Sequence, residues 1–390
     1  MGWIDKYGAT ESGYATATRG GTKMASSSIA QARKEAIVTG KISDPLVDPS
    51  SYDGLRISKT RFEEMPSGLF RLVKGIAMPL SSYFDGSCSF GEKLVTQTFA
   101  GLKQTFAVCS KVMPNYELWT LSGVFNDCEE RLASETSFAL YRSQFEYDPQ
   151  KIVDQLVHCV PNNGGCGNGG EDPQYAVFGE AYLSLKAITE YGLKSYAFFV
   201  SDEPMHDDFS VKNLKWIFGE KVFETARKNG FSDMAEHCLP SVEEAVAQML
   251  KTTHAFYIGL GKDWTTDRHR RNALGCWTEM LGRDRVIPLY GMSGEIIPYV
   301  QGVVCGLTEG TLSLVDVPKW LAEVGVLKDH ASRITKAVAN IPAGAQAELL
   351  RQLQNPLPKE GDLFKSKTDL WPIDESEIAE ADEEEDDNWL

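Results

Sequence analysis

No stretch of this chain is long and apolar enough to cross a membrane, and the first residues lack the charged-then-apolar layout of a secretory leader. Basic residues are the minority. Lys and Arg number 39 against 55 Asp and Glu, for a formal charge of −16, which excludes a broad basic face for nucleic acid. The eight cysteines show no framework or C-x-x-C spacing, as in a reducing compartment with free thiols. The histidines at 158, 206, 237, 254, 269 and 330 never form H-E-x-x-H, so a zinc site is not expected. G-x-S-x-G, the usual hydrolase elbow, is also missing. The expectation is a cytoplasmic protein that binds neither membrane nor nucleic acid.

What the chain does have is 42% hydrophobic residues over 390 positions, enough for a substantial core. The negative charge is concentrated: ten acids and no bases lie between Asp374 and Asp387, which leaves about −6 for the rest. Residues 1–60, rich in Gly, Ser, Thr and Ala, read as a flexible N-terminal arm. Residues 61–310 alternate apolar strands with helical periodicities, which argues an α/β fold: a doubly wound, mostly parallel six-stranded sheet flanked by helices. The expected strands lie near Met78–Phe84, Tyr116–Phe125, Ala139–Asp148, Ser195–Glu203, His254–Gly261 and Arg285–Gly291. Residues 311–355 read as two helices packed on the outside, and 356–390 as a linker and acidic tail.

The organising stretch is Met78–Ser89, MPLSSYFDGSCS. An apolar strand breaks into a loop and then a helix, the place where α/β proteins hold ligands. Asp85, Ser87 and Ser89 offer oxygens at alternate positions, a set that suits Mg²⁺ or a similar hard ion. Asp-Gly-Ser is also ordinary turn chemistry. A second loop, PNNGGCGNGGED, contains G-x-G-x-x-G at Gly165, Gly167 and Gly170. The element before it reads as a helix rather than a strand, so a dinucleotide site is not expected. Its glycines instead permit close backbone approach to the Asp85 loop, with Asn168, Glu171 or Asp172 supplying further oxygens. Asp202 closes the strand YAFFVSD. Lys262, Arg268, Arg270 and Arg271 follow the fifth strand. They form either a solvated loop or an electropositive rim that steers acidic partners.

Together these loops resemble the von Willebrand factor type A domain and its metal-ion-dependent adhesion site, over about Leu72 to Gly306. Asp85, Ser87 and Ser89 match that family's Asp-x-Ser-x-Ser loop, and Asp202 matches its fourth-strand Asp. The second loop departs from the pattern by having no Thr. The order QFEYD, KIVDQLVHC, GGCGNGGEDPQYAV is similar to a bacterial and phage subgroup, with Glu171 or Asp172 as the implied ligand and Asn168 behind them. The resemblance implies Mg²⁺ (or Mn²⁺) at the site, with a vacancy filled by a protein partner's Asp or Glu. Implied partners are an AAA-class ATPase or another copy of the chain.

Catalysis is not expected. An aspartyl-phosphate mechanism wants a second Asp two residues after the nucleophile, and position 87 is Ser. Cys166 with His158 nearby carries no mark of a lowered thiol pKa. The alternatives are a structural or assembly protein that uses the fold without metal, and a metal-dependent hydrolase. The tail, ending in Trp389 and Leu390, is either a solubilising segment or one that docks on the chain or a neighbour.

Overall fold

The computed structural model describes residues 56–57, 60–86, 92–126, 140–143, 145–147, 171–261 and 267–366. The helix expected at Lys151–Cys159, the glycine loop, most of the arm and the acidic tail lie outside the described residues. Six strands form the main sheet: β1 Ile76–Asp85, β2 Tyr116–Phe125, β3 Leu140–Arg142, β4 Ser195–Ser201, β5 Thr253–Gly259 and β6 Val286–Pro288. Their spatial order is β6-β5-β4-β1-β2-β3, parallel throughout except for the antiparallel edge strand β3. This is the doubly wound order expected from the strand–helix alternation.

Central strands in such a sheet are covered on both faces, and β1, β4 and β5 are buried at every residue. Alternate side chains feed two cores. Met78, Leu80, Phe198, Val200, Phe256 and Ile258 face one, while Tyr83, Ala197, Phe199, Ala255 and Tyr257 face the other. Pro79 is tolerated in β1 because the ladder to β4 begins only at Leu80.

Ten helices are described: α1 Glu92–Cys109, α2 Pro173–Phe178, α3 Val211–Phe218, α4 Val222–Lys228, α5 Val242–Thr252, α6 Asp267–Leu281, α7 Ile297–Glu309, α8 Val317–Glu323, α9 Lys328–Ala337 and α10 Ala345–Arg351. Helices α1 and α7 cover the first core; α2, α5 and α6 cover the second. Helix α2 is only six residues long and runs into a π turn, Gly179–Leu183. Helices α3 and α4 are parted near Gly219, whose φ of 88° is left-handed. Three helices rather than two follow residue 311.

The expected boundaries also shift. Arg56–Ile57, assigned to the arm, pairs in parallel with Leu185–Lys186. Phe62–Glu64 and Phe70–Leu72 form an antiparallel hairpin. Leu363–Phe364, within the expected linker, pairs with Phe70–Leu72 as a third strand. Chain beyond residue 355 therefore still packs on the domain.

Two polar clusters are buried within these layers. Glu180 on the π turn is ion-paired with Arg142 and Lys186 and accepts a 2.5 Å hydrogen bond from the Tyr83 hydroxyl. Burial raises its pKa, but Lys186 and Arg142 outweigh that and hold it at about 2. Glu309, at the end of α7, accepts a 2.7 Å bond from the Tyr196 hydroxyl of β4. Here no cation among the described residues offsets burial, which lifts the carboxyl to about 7 against the downward pull of Tyr196 and Tyr116.

Glu309 fixes the sign of a pH effect. Its folded pKa exceeds that of the unfolded chain. Its contribution to stability is therefore complete below about pH 4.5 and is lost as the pH rises through about 7. Glu309→Gln removes that dependence. Thermal melts from pH 5 to 8.5 should show the native chain losing stability relative to the variant as pH rises; parallel curves would contradict the assignment.

Candidate functional site

The sheet reverses direction between β1 and β4. From β1 the chain builds outward through β2 and β3, then returns to the other side for β4, β5 and β6. At such a switch point the loops leaving two adjacent strands part, which opens a crevice beyond their carboxyl ends. Asp85 is the last residue of β1, and Asp202 follows the last residue of β4. The register Phe84↔Val200 sets Asp85 beside Ser201. The two carboxylates expected to share an ion thus stand on the same rim at neighbouring strand ends.

Short hydrogen bonds hold this rim. The Ser201 hydroxyl donates to Asp85 Oδ2 at 2.7 Å and accepts from the Glu203 N–H at 2.9 Å. The Ser201 carbonyl accepts from the Tyr257 hydroxyl at 2.7 Å and from the Leu260 N–H at 3.0 Å. Trp277 Nε1 donates to the Glu203 carbonyl at 3.1 Å. Tyr257 registers the local charge: burial, then Tyr290, then Asp202 and Asp85 push its pKa well above the usual phenol value. Both carboxylates therefore act on one hydroxyl.

Glycines let backbone close in on these groups. A Cβ on Gly261, just beyond β5, would stand 2.6 Å from Asp202 Cβ and 2.8 Å from its Oδ2. A Cβ on Gly86 would stand 2.5 Å from Val124 Cγ1 and 2.9 Å from Asn126 Oδ1. Only glycine fits at either place without displacing a neighbour.

The remaining expected residues divide. Glu171 bridges in parallel to Met205, which brings the second loop's exit onto the loop after β4. Glu171 and Asp172 are both buried, and Asp172 Oδ1 accepts a 2.6 Å bond from Gln174 Nε2. Among the described residues, no three His, Cys, Asp or Glu side chains gather closely enough to hold an ion. Neither Glu171 nor Asp172 therefore completes a carboxylate trio with Asp85 and Asp202. Ser87, Ser89, Asn168 and Lys262 lie outside the described residues. Arg268, Arg270 and Arg271 stand in the first turns of α6 rather than in a loop, and Arg271 is exposed. Helix α6 starts just beyond β5, so these residues belong to the Asp85 end of the sheet.

Sequence reasoning missed Ser201 and Asn126. Ser201 directly precedes Asp202, and its role depends on the β1–β4 register, which the sequence does not print. Asn126 follows β2 and is fully buried beside Gly86. The side chains of Asp85, Ser201 and Asp202 present only oxygen at the strand ends. This chemistry fits a hard divalent cation and would not favour a soft one.

No protein-family model matches the chain, and no curated protein matches it. Solved structures do. The vWF domain of a type V pili tip protein from Porphyromonas gingivalis is 9% identical, with a TM-score of 0.38, over 60% of this chain and 95% of that one. A pilus adhesin from Lactobacillus rhamnosus GG is 9% identical, with a TM-score of 0.38, over 63% of this chain and 33% of the adhesin. Proximal thread matrix protein 1 from the mussel byssus is 9% identical, with a TM-score of 0.35, over 60% of this chain and 48% of that one. The alignment thus spans about half of the byssus protein and a third of the adhesin. The α/β fold itself rests on this chain's own strand order and register.

The hydroxyl of Ser201 is the most exacting contact on the rim. Ser201→Ala removes the donor to a buried carboxylate and the acceptor of the Glu203 N–H, and should cost about 1.5–3 kcal/mol. Urea denaturation measures this; a loss below ~0.5 kcal/mol would mean that Asp85 does not depend on Ser201.

Proposed function

We propose that this chain is a non-catalytic protein-interaction module. In this reading a divalent cation, Mg²⁺ or Mn²⁺, at the Asp85–Asp202 crevice captures a partner's carboxylate. The observation that carries the reading is the placement of two buried carboxylates at adjacent strand ends on the switch point of the sheet. Two anions in one low-dielectric crevice repel each other, and a divalent ion relieves that cost. Asp85 and Asp202 would hold the ion, with Ser87 and Ser89 as neutral oxygens and Glu171 or Asp172 reaching it through water. When bound, the ion supplies Lewis acidity toward a carboxylate. The chain's own residues fix where that carboxylate arrives.

Neutral hydroxyls beside few carboxylates would leave the ion short of negative charge, and so receptive to one more acid. The Arg268–Arg271 turn of α6, on the same end of the sheet, would steer an acidic partner toward it. Candidate partners are an AAA-class ATPase or a second copy of the chain, each presenting Asp or Glu.

The test is affinity capture from a source lysate with native and Asp85→Ala protein, each with Mg²⁺ and with chelator. Specific partners should be retained only by native protein with Mg²⁺, while circular dichroism shows both proteins folded. Capture that survives chelation would instead favour an assembly role that needs no ion.

A further inference from the structure

The opposite end of the sheet holds a cavity that the adhesive reading does not use. It opens at the amino ends of β1 and β2, beside Gly75 and Tyr116, with a volume of about 510 Å³. That size suits one or two large side chains. Phe106, Leu118 and Tyr147 supply apolar wall, and Tyr147 is 37% exposed, high for so large a ring. A satisfied ion pair lies against it. Arg61 is paired with Glu117, Trp119 Nε1 donates to Glu117 at 3.3 Å, and the Arg61 guanidinium sits 4.0 Å from the Tyr147 ring centre. At the mouth stand Lys74, Lys359 and Glu360. Among the described residues neither ammonium has an ion-pair partner, so the mouth carries one net positive charge. An aromatic wall under a positive rim is built for an apolar side chain that follows an acidic one.

The chain itself contains such a segment. Six consecutive acids, Asp382–Asp387, precede Asn388, Trp389 and Leu390. The rim and this segment are also tethered. Gly361 donates to the Leu72 carbonyl, Leu72 to the Asp362 carbonyl, and Leu363–Phe364 pairs with Phe70–Leu72. Glu360 on the rim and Ser366 are six residues apart, at most roughly 20 Å. From Ser366 to Trp389 is 23 residues, a reach of up to roughly 80 Å. The ring can return to the cavity several times over, and a tethered ligand works at a local concentration near the millimolar range.

We infer that this cavity is an intramolecular dock for the chain's own acidic segment, with Trp389 in the apolar cleft and Asp386 and Asp387 at Lys74 and Lys359. The segment then lies at the amino ends of the strands, away from the Asp85 rim, and leaves that rim open to other partners. The dock stands or falls independently of the metal reading.

The experiment compares two full-length proteins, native and Trp389→Ala, by anisotropy titration with a labelled peptide spanning residues 380–390. The substituted protein has an open cavity and should bind the peptide saturably; the native protein should bind at least about tenfold more weakly, because its own segment competes. Adding Lys74→Glu and Lys359→Glu to the Trp389→Ala protein should weaken peptide binding by roughly tenfold. Both lysines are exposed, and circular dichroism checks that the fold is kept. Equal binding by native and Trp389→Ala protein, binding by neither, or indifference to the lysine changes would each overturn the proposal.

Discussion

The hydrogen bond from Ser201 to Asp85 condenses what the rest of the site depends on. It exists only because β1 and β4 are neighbours in parallel, in the register that levels Phe84 with Val200. A one-residue slip would turn every side chain of β4 to the other face, burying Ser201 and Asp202 in the wrong layer. Two separate cores prevent that slip. Phe198 and Val200 are held on one side, Ala197 and Phe199 on the other, and all are fully buried. Placement of two carboxylates is thus secured by apolar packing some way beneath them.

The loop after β4 is fastened in the same spirit. Tyr257, Leu260 and Trp277 each donate to its carbonyls, and Glu171 bridges to Met205. Backbone this well satisfied makes a stiff mount for the carboxylates at the strand ends.

Much of this was legible in the sequence, for a physical reason. Central parallel strands are buried on both faces, so SYAFFVS and THAFYIG read as unbroken apolar runs and could be placed to within a few residues. Asp85 and Asp202 were legible because each ends such a run. What could not be read were features decided by tertiary contact. The π turn at Gly179–Leu183 carries Glu180, and Glu180 meets Lys186 just beyond the turn and Arg142 from a strand 38 residues earlier. No local pattern announces a buried triad of that kind. The hairpin strands Phe62–Glu64 and Phe70–Leu72 and their partner Leu363–Phe364 are two or three residues each, too short to show a period. The need for glycine at position 261 was not legible. Gly261 is required by Asp202, which stands across a turn that sequence alone does not close.

The account leaves one central claim, that the switch-point crevice binds a hard divalent cation through Asp85 and Asp202. Isothermal titration of Mn²⁺ and Mg²⁺ into native, Asp85→Asn and Asp202→Asn proteins tests it most directly. The account predicts one ion per native chain and loss of that binding in both variants, with folding intact. Equal heats in all three proteins, or no ion bound by the native chain, would contradict it.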